Sequence, residues 1–464
     1  MMNIDQKLSP TDLLPLIHRL VGLSAEKIQL VQRSWDTSRG TPVFTVNGKY
    51  TSRGWTEWTQ GFQFGSAILQ FDLTGDEEFL EIGRMATVRF MAAHVSHVGV
   101  HDHGFNNVST YGNLLRLMNE ERLPENTWER RFYELALKVS GAVQAARWTT
   151  LGPGAGYIYS FNGPHSLFSD TIRSLRALAL GHQLGHTLMG EKDVVISLLR
   201  RLVQHAETTA RYNVYFGKGR DAYDVRGRVV HESIFNVKDG SYRCPSSQQG
   251  YSPFTTWTRG LAWVLCGFAE ELEFLDRCPE ADLGDDGEKA RVSGFFLETA
   301  RAVADYHIQN SPADGIPYWD TGAPGLDRLG DYLDRPADPF NDIEPVDSSA
   351  AAIAAQGLLR LGRFLKARGN AADAAHYFQA GLTIARTLFA EPYLSTRPDH
   401  QGLILHSVYH RPNGWDYVPP GKHAPFGESS MWGDYHAREL ALLISRMAHG
   451  GPDFVFFIPR EKSS

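Results

Sequence analysis

Cysteine is scarce in this chain of 464 residues, which contains only three. Cys244, Cys266 and Cys278 are odd in number, and none lies close to another in the sequence. A disulfide framework usually uses an even number of cysteines, and a zinc knuckle uses closely spaced pairs. The sequence therefore argues against both.

Targeting and membrane signals are also missing. Residues 1–7 contain no basic stretch followed by an apolar run, so no signal peptide is predicted. No apolar segment is long and uncharged enough to span a bilayer. A formal net charge of -7 disfavours nucleic acid and anionic membranes as partners, although a local basic pocket could still bind an acidic sugar. We expect a cytoplasmic protein that binds neither nucleic acid nor membrane.

Three common catalytic and nucleotide-binding motifs are absent as well. The chain has no G-x-x-x-x-G-K, no dinucleotide fingerprint after a predicted strand and no G-x-S-x-G nucleophile elbow. The glycine-rich residues 152–156 lack the strand and helix that flank a phosphate cradle, so they are interpreted as a loop. No cofactor is predicted.

Apolar and amphipathic helical segments alternate along the chain. Residues 61–72 are apolar nearly all round, which predicts a helix buried on every side, and residues 76–94 follow as an amphipathic helix. The order repeats for residues 108–117 and 124–146, 170–184 and 190–210, 258–274 and 288–309, and 348–365 and 369–389. The last apolar-rich helix, residues 430–447, is predicted to pair with N-terminal helices that begin near Ser9 and Ser24. Residues 41–54 are assigned no regular structure.

About six buried helices that alternate with six surface helices are compatible with two architectures, an open α-solenoid and a closed ring of helical hairpins. We favour the ring because the chain has no sign of polar capping repeats. Its long loops are rich in Trp, Tyr, His and Asp, and in a ring they would meet at one mouth. Without a linker or a shift in composition, residues 1–464 are predicted to form a single all-α domain.

Residues able to carry chemistry recur in the loops before the predicted buried helices. Their distribution is Trp55 and Trp58 before the first; His101 and Asp102 before the second; Asp170 at the start of the third; Gln248, Gln249, Trp257 and Arg259 around the fourth; Trp319, Asp320, Asp347 and Ser348 before the fifth; Glu428, Ser429, Ser430 and Trp432 at the sixth. Their recurrence at equivalent helix ends is the strongest sequence argument for a functional site.

Asp102 and Asp170 are the candidate catalytic pair. Two carboxyl groups are the minimum needed to protonate one atom while activating water at another. Each also has a structural interpretation: Asp102 as a turn residue, and Asp170 as the cap of its helix, which is the more probable role from position alone. The aromatic neighbours shift the balance towards function.

The histidines around Asp102 invite a metal interpretation, which we do not favour. His101 and His103 could share an ion only on an extended backbone, and the spacing indicates no third ligand. His94 and His97 are predicted to be solvated at the end of an amphipathic helix. No metal site is predicted.

Arg259 lies between Trp257 and Trp263 at the start of a predicted helix. Its guanidinium could bind a carboxylate in a forked geometry while a tryptophan stacks on a sugar. It could equally sit on an aromatic shelf that holds two helices together. The residues leave both alternatives open.

Several motifs together resemble glycoside hydrolase family 88, the unsaturated glucuronyl hydrolases. The matching stretches are Glu57-Trp58-Thr59-Gln60-Gly61-Phe62, His101-Asp102-His103-Gly104-Phe105, Asp170 with its helix, Gln249 with Thr256 to Trp263, Tyr318-Trp319-Asp320, Asp347-Ser348-Ser349-Ala350 and Ser430-Met431-Trp432-Gly433-Asp434-Tyr435. They extend over nearly the whole chain, and the set in this order is specific. The related family 105, the unsaturated rhamnogalacturonyl hydrolases, is a poorer match.

The resemblance implies an (α/α)6 barrel and an enzyme that removes a 4,5-unsaturated uronic acid from the non-reducing end of lyase-generated oligosaccharides. It implies hydration of the C4=C5 vinyl ether, with Asp170 as general acid/base and Asp102 keeping Asp170 protonated. His231 would contact the substrate near the reacting carbons. The other implied sugar-binding residues are Trp58, His101, Gln249, Trp257 and Arg259.

The chain departs from the family pattern at a few positions. His103 stands where an aliphatic residue is expected, and Ser174 replaces an expected asparagine. Residues 212–230 look enlarged and carry Arg220, Arg226 and Arg228, which are expected to bear on the substrate. A non-catalytic sugar-binding barrel and a lyase or epimerase for uronic acids remain alternatives, and either a monomer or a homodimer is expected.

Overall fold

A computed structural model describes residues 1–54 and 57–458, and within these ranges the helices form two concentric rings. The inner ring is made of Gln60–Thr74, His103–Asn107 with Asn113–Asn119, Thr171–Ser174 with Arg176–Gln183, Thr258–Arg277, Ser348–Ala367 and Met431–Ala448. Met431–Ala448 packs against both Ser348–Ala367 and Gln60–Thr74. The ring is therefore closed, as the sequence predicted, and the solenoid alternative is wrong.

The outer ring covers the inner one with amphipathic helices. Its members are Leu14–Ser34, Glu77–Phe90, Thr127–Ala146, Leu198–Asn213, Glu288–Gln309 and Ala371–Leu388. The hydrophobic core fills the space between the rings, with residues such as Ile172, Val264 and Leu358 completely buried. The predicted all-α class and (α/α)6 barrel are confirmed.

The N-terminal helix differs from the prediction. Asp12 accepts the backbone N–H of Ser9 at 2.8 Å at the start of the short 3-10 helix Pro10–Leu13. The next helix, Leu14–Ser34, is continuous rather than divided into two pieces. Ser24, expected to start the second piece, instead points inward and donates a hydrogen bond of 2.7 Å to Oε1 of Gln70. Tertiary packing uses its hydroxyl, so the serine does not interrupt the helix.

Residues 41–54, for which no regular structure was expected, contain an antiparallel hairpin. Phe44–Val46 pairs with Lys49–Thr51, and the turn residues Asn47 and Gly48 both have positive φ angles. Asn-Gly is the preferred pair for a tight hairpin turn, so the signal was present in the sequence but was missed.

The second inner helix begins earlier than predicted. It starts at His103 rather than near Val108, and the π-helical segment Val108–Gly112 joins its two α-helical parts. Asp102 thus stands directly at a helix start rather than on an extended loop. Its carbonyl accepts the backbone N–H of Phe105 at 2.9 Å.

Short strands and helices fill the connections. The remaining strands are the antiparallel pairs Trp148–Gly152 with Ala155–Ile158 and Leu188–Met189 with Val195–Ile196, and a sheet of Ser166–Phe168, Glu232–Phe235 and Tyr242–Ser246 in that spatial order. The remaining short helices are Thr37–Arg39, Glu57–Thr59, Ala92–Val95, Glu191–Asp193, Glu280–Leu283, Leu326–Leu329, Tyr332–Asp334 and Arg411–Asn413. Residues 152–156, expected to be a loop, instead contain the facing ends of the first strand pair and the two-residue turn between them.

A charged network lies inside the barrel. Arg173 is fully buried and donates to Glu270 at 2.9 Å and to Glu439 at 2.8 Å, which joins three inner helices. Paired in this way, the guanidinium and carboxylates offset the cost of leaving water. In the described ranges, no helix combines the length and apolarity that crossing a membrane requires.

Candidate active site

A cavity of about 450 Å³ opens at the end of the barrel where the inner helices begin. Its walls are mainly aromatic and its floor is polar. The lining residues are Gly54, Trp58, His97, Gly99, Val100, His101, Asp102, Phe105, Phe161, Phe168, Asp170, Gln248, Gln249, Trp257, Arg259, Trp263, Tyr409, His410 and Trp415. Such a cavity suits a flat, polar ring that can stack on indole and phenyl faces.

Asp102 and Asp170 meet in this cavity although 68 residues separate them in the sequence. His101 lies between them: its Nε2 is 3.7 Å from Oδ1 of Asp102 and 3.9 Å from Oδ2 of Asp170. Both carboxyl groups are largely buried, with exposed fractions of 7% and 8%. The structure thus brings the predicted catalytic pair together.

Asp170 stands at the N-cap position of Thr171–Ser174, but its side chain makes no capping hydrogen bond. Its Oδ1 atom is buried and has no hydrogen-bond partner. Capping, the role favoured from its position in the sequence, is therefore wrong. The carboxyl group remains available to a ligand in the cavity.

Three residues below the cavity link the two aspartates. Ser174, four residues after Asp170, accepts the backbone N–H of Gly104 at 2.8 Å and donates to Oε1 of Gln144 at 3.1 Å. Gln144 in turn donates to the carbonyl of His101 at 2.9 Å. A Cβ atom on Gly104 would lie 2.3 Å from the Ser174 carbonyl oxygen, so only glycine permits this approach. The serine in place of the expected asparagine is thus a positioning residue.

The pKa values of Asp102 and Asp170 are shifted in opposite directions. Burial raises the pKa of Asp102; His101 opposes this and Asp170 adds to it, and the net shift is upward. Burial also raises the pKa of Asp170, but the neighbouring His101 outweighs it and the pKa lies below its ordinary value. Burial lowers the pKa of His101, and the two carboxylates more than reverse that shift. Without a ligand, Asp102 therefore has a higher proton affinity than Asp170, the reverse of what the family resemblance implied.

His231 lies behind the cavity wall rather than in its lining. Its ring contacts Phe168, with centroids 4.4 Å apart, and Trp257 at 4.9 Å. Its Nδ1 accepts the backbone N–H groups of Gln248 at 3.0 Å and Gln249 at 3.2 Å. This assigns the ring proton to Nε2, a buried atom without a partner. Burial lowers the pKa of His231, so the ring is a neutral hydrogen-bond donor.

Arg259 combines the two roles left open by the sequence. Its guanidinium lies between two indoles, Trp257 at 4.7 Å and Trp432 at 5.0 Å, so Trp432 replaces the expected Trp263. It donates to Oδ2 of Asp347 at 2.8 Å and to Oε1 of Gln249 at 3.1 Å. It also donates to the carbonyls of Val408 and Tyr409. With these partners, its main role is to hold Gln249 and the adjoining loops in place.

Trp58 extends the same aromatic stack along the cavity wall. It stacks on Trp432 with centroids 5.0 Å apart and meets Phe105 edge-on at 6.2 Å. The sequence argument missed Tyr409, His410 and Trp415, which line the same wall. The aromatic-rich loop before the last inner helix was the available signal. Trp55, another predicted site residue, lies outside the described residues.

Most of the other loop residues singled out from the sequence stabilise the loops rather than line the cavity. Asp347 caps Ser348–Ala367 by accepting the N–H of Ser349. Trp319 donates to Glu344 at 2.8 Å, and Asp320 accepts the N–H of Tyr251 at 2.8 Å. Burial raises the pKa of Asp320 to about 6. The polar and aromatic residues that recur at equivalent helix ends therefore include residues that line the cavity and residues that stabilise the loops.

The other histidines have structural contacts. His94, expected to be solvated, is buried and hydrogen-bonds Oε1 of Gln60 at 3.0 Å. His103 is held by Ser140 at 3.1 Å and by the carbonyl of His97 at 2.9 Å, and burial lowers its pKa to about 4. Packing thus explains the unusual histidine at 103.

A third potential metal donor beside His101 and Asp102 is Asp170 rather than His103. These three residues offer donor atoms that all lie within 4.8 Å of one another. The sequence spacing could not indicate this long-range partner. The same atoms equally form a charge-coupled acid/base group, and the prediction of no metal site stays a prediction.

Arg220, Arg226 and Arg228, which were expected to bear on the substrate, contact other protein groups instead. Arg226 pairs with Asp305 at 2.8 Å, and Arg228 donates to the carbonyl of Tyr223 at 2.7 Å. Arg220 donates to the carbonyl of Tyr212 at 2.7 Å. None of the three arginines lines the cavity.

The chain has relatives among characterised proteins, although no family model matches it. It is 26% identical over 419 residues to the unsaturated glucuronyl hydrolase of Bacillus sp. (strain GL1), covering 87% of this chain and 90% of the relative. It is 22% identical over 440 residues to the unsaturated chondroitin disaccharide hydrolase of Streptococcus pyogenes serotype M1, covering 92% and 90%. The resemblance inferred from the motifs is confirmed.

Solved structures show the same fold. The crystal structure of the Bacillus sp. GL1 unsaturated glucuronyl hydrolase aligns with a TM-score of 0.69 and 23% identity, covering 93% of this chain and 97% of that one. An unsaturated glucuronyl hydrolase from Streptococcus agalactiae aligns with a TM-score of 0.67 and 19% identity, covering 95% and 96%.

Proposed function

We propose that this protein is a glycoside hydrolase that removes a 4,5-unsaturated uronic acid from the non-reducing end of an oligosaccharide. The observation that carries the proposal is the carboxyl pair of Asp102 and Asp170 at the floor of an aromatic cavity. Relatives named for this activity support it over most of the chain. A sugar ring stacked on the aromatic wall would bring its double bond to the carboxyl groups.

The chemistry we propose is hydration of a vinyl ether. A carboxyl proton is transferred to C4, and the ring oxygen stabilises the positive charge that develops at C5. Water then adds to C5 and returns a proton to the carboxylate. The resulting hemiketal opens, which yields a 4-deoxy-5-keto uronate and releases the shortened sugar. The proton given to C4 stays on carbon and the one recovered comes from water, so one carboxyl group acts first as acid and then as base.

Asp170 is the proposed proton donor, and substrate binding would bring it into the protonated form. The uronate carries its own carboxylate into a cavity that already holds two acidic groups. A third negative charge nearby raises the pKa of Asp170 and opposes the effect of His101. Before the substrate arrives, the raised pKa of Asp102 gives it the higher proton affinity of the pair.

The other site residues are proposed to bind and orient the sugar. Trp58 and Trp257 offer indole faces for stacking, and Gln249 offers its side-chain amide from a position supported by Arg259. His231 packs behind Phe168 and Trp257 and supports the wall on which the sugar would lie, and the charge of Asp170 acts on its ring. His101 holds the two carboxyl groups in relation to each other.

We also propose a cytoplasmic location, a monomeric or homodimeric state and a single-domain chain. They rest on the sequence arguments alone. A sugar-binding barrel without catalysis is the competing function, and it predicts binding without turnover.

The test uses an unsaturated uronyl disaccharide from a polysaccharide lyase. The wild-type protein should remove the ultraviolet absorbance of the double bond and give products heavier by one water in total. Asp170→Asn should remove this activity and keep the fold. Asp314→Asn is the matched control, because Asp314 is also desolvated, with a pKa raised to about 6, but does not line the cavity. Unchanged absorbance with the wild-type protein across several lyase products would rule out the proposal.

A further inference from the structure

The end of the barrel opposite the active-site cavity carries a cluster of three different metal-binding side chains. His182 lies at the end of Arg176–Gln183, Cys278 follows Thr258–Arg277, and Asp282 belongs to Glu280–Leu283. Each contributes one donor atom, and the three atoms all lie within 4.8 Å of one another. We propose that His182, Cys278 and Asp282 bind a zinc ion that joins the ends of two inner helices.

The donor set favours zinc over the common hard cations. A thiolate is a soft ligand that selects zinc and similar transition metals, whereas magnesium and calcium prefer oxygen alone. Zinc also binds imidazole nitrogen and carboxylate oxygen, and a water molecule can supply a fourth ligand. The three cysteines of the chain form no close pair, so this site could not be recognised from a cysteine motif.

The observed distances are close to those of tetrahedral coordination. Nε2 of His182 lies 2.9 Å from Oδ2 of Asp282, and Sγ of Cys278 lies 4.0 Å from the same oxygen. With ordinary zinc–ligand bond lengths, the tetrahedral separations are about 3.4 Å for N···O and about 3.6 Å for S···O. Binding therefore requires shifts of about 0.5 Å, which the partly exposed side chains of His182 and Asp282 can make.

Cys278 is a buried ligand with a fixed position, whereas His182 and Asp282 are accessible to solvent. Cys278 is fully buried, and its backbone N–H is held by the carbonyls of Phe274 and Leu275. His182 and Asp282 have exposed side-chain fractions of 22% and 36%, and Asp282 also lines a surface groove. An ion can thus enter from solvent and meet a thiol that the helix end already positions.

A cation lies beside the proposed ligands. The ammonium of Lys289 donates to the carbonyl oxygen of Cys278 at 2.7 Å. On binding, the thiol of Cys278 gives its proton to the solvent and sulfur donates an electron pair to the metal. The aspartate and the thiolate together then balance the charge of the divalent ion.

The site is structural rather than catalytic. Thr258–Arg277 has 20 residues and therefore spans about 30 Å between the cavity and Cys278. An ion held at this distance cannot touch the reacting atoms. Its effect is to fasten Glu280–Leu283 and the C-terminal ends of two inner helices to one another.

The experiment titrates reduced, metal-free full-length protein with Co²⁺ and then displaces it with Zn²⁺. The wild-type protein should bind one equivalent and show a thiolate-to-cobalt charge-transfer band. Cys278→Ser should lose the band, and His182→Gln should weaken binding of both ions. Cys244→Ser, which changes an exposed cysteine elsewhere, is the matched control and should retain the band and the stoichiometry.

His182→Gln distinguishes loss of a metal ligand from loss of the fold. Its side chain is partly exposed, so the circular dichroism spectrum should stay unchanged. Zinc should raise the thermal midpoint of the wild-type protein but not that of either ligand variant, and turnover should not change. Absence of stoichiometric binding to the wild-type protein would overturn the proposal. So would a charge-transfer band that persists in Cys278→Ser or disappears in Cys244→Ser.

Discussion

Replacing Gly104 with alanine should separate the two carboxyl groups proposed to be catalytic. Gly104 lies two residues after Asp102, and its closest neighbour is the backbone of Ser174, four residues after Asp170. The added Cβ would lie 2.3 Å from the Ser174 carbonyl oxygen, whereas ordinary contacts begin at 3.4 Å. The two helix starts must therefore move apart by about 1 Å, since both contacting groups are backbone or fixed to it.

The displacement should reduce turnover more than it reduces stability. A misplacement of about 1 Å can lower the rate on the order of 10²-fold. Overpacking of this kind lowers the free energy of unfolding by about 1–3 kcal/mol. Initial rates of absorbance loss on an unsaturated uronyl disaccharide give kcat, and denaturant unfolding gives the stability of the same sample.

Gly362→Ala is the matched control. Its Cβ would lie 2.8 Å from the Ala374 carbonyl oxygen, at a contact between an inner and an outer helix that does not line the cavity. It should lower stability by a similar amount while kcat stays within about twofold of the wild-type value. Full activity of Gly104→Ala, or equal loss in both variants, would refute the positional role of the Gly104–Ser174 contact.

Three further predictions follow from the packing. Ser174→Ala removes the acceptor of the buried Gly104 N–H, so the free energy of unfolding should fall by about 1–3 kcal/mol. We expect kcat to fall as well. Denaturant unfolding and initial rates measure the two effects. Arg259→Met leaves Asp347 buried without its cation and should lower the free energy of unfolding by about 3–5 kcal/mol. Arg226→Met breaks an exposed pair and should lower it by at most about 1 kcal/mol. Equal losses of unfolding free energy in the two variants would contradict this prediction. Burial lowers the pKa of His307 to about 4, so its unfolded form binds a proton that the folded form rejects, and stability is lost as pH falls from about 6.5 to 4. His307→Gln should reduce the slope of unfolding free energy against pH in that window by about 1.4 kcal/mol per pH unit, and an unchanged slope would show that His307 is not responsible.

The two rings could be predicted because hydrophobic periodicity reports how a helix is buried. Residues 61–72 are apolar all round and form part of the inner ring, whereas the amphipathic residues 288–309 form an outer helix with the predicted bounds. The same reasoning failed at Ser24, where a residue that usually starts a helix is used in a tertiary hydrogen bond to Gln70. Local patterns do not report which distant group a side chain will meet.

The sequence predicted which residues belong to the candidate site better than it predicted which groups those residues contact. The motifs around Asp102 and Asp170 identified the pair, and the loop positions placed them at one end of the barrel. The second indole that packs on Arg259 is Trp432 rather than Trp263, and it lies far from Arg259 along the chain, so the local sequence could not indicate this contact. The tautomer of His231 depends on two backbone N–H groups of a neighbouring loop, so only the folded arrangement could assign it.

The central claim is that a protein-held proton is delivered to C4 of the sugar ring, and reaction in D₂O tests it most directly. Hydration at the site predicts one deuterium at C4 of the keto product in a single configuration, with no such product from Asp170→Asn. Ordinary displacement at the anomeric carbon would release an unsaturated sugar that tautomerises free in solution. A mixture of both C4 configurations from the wild-type protein would therefore contradict the account.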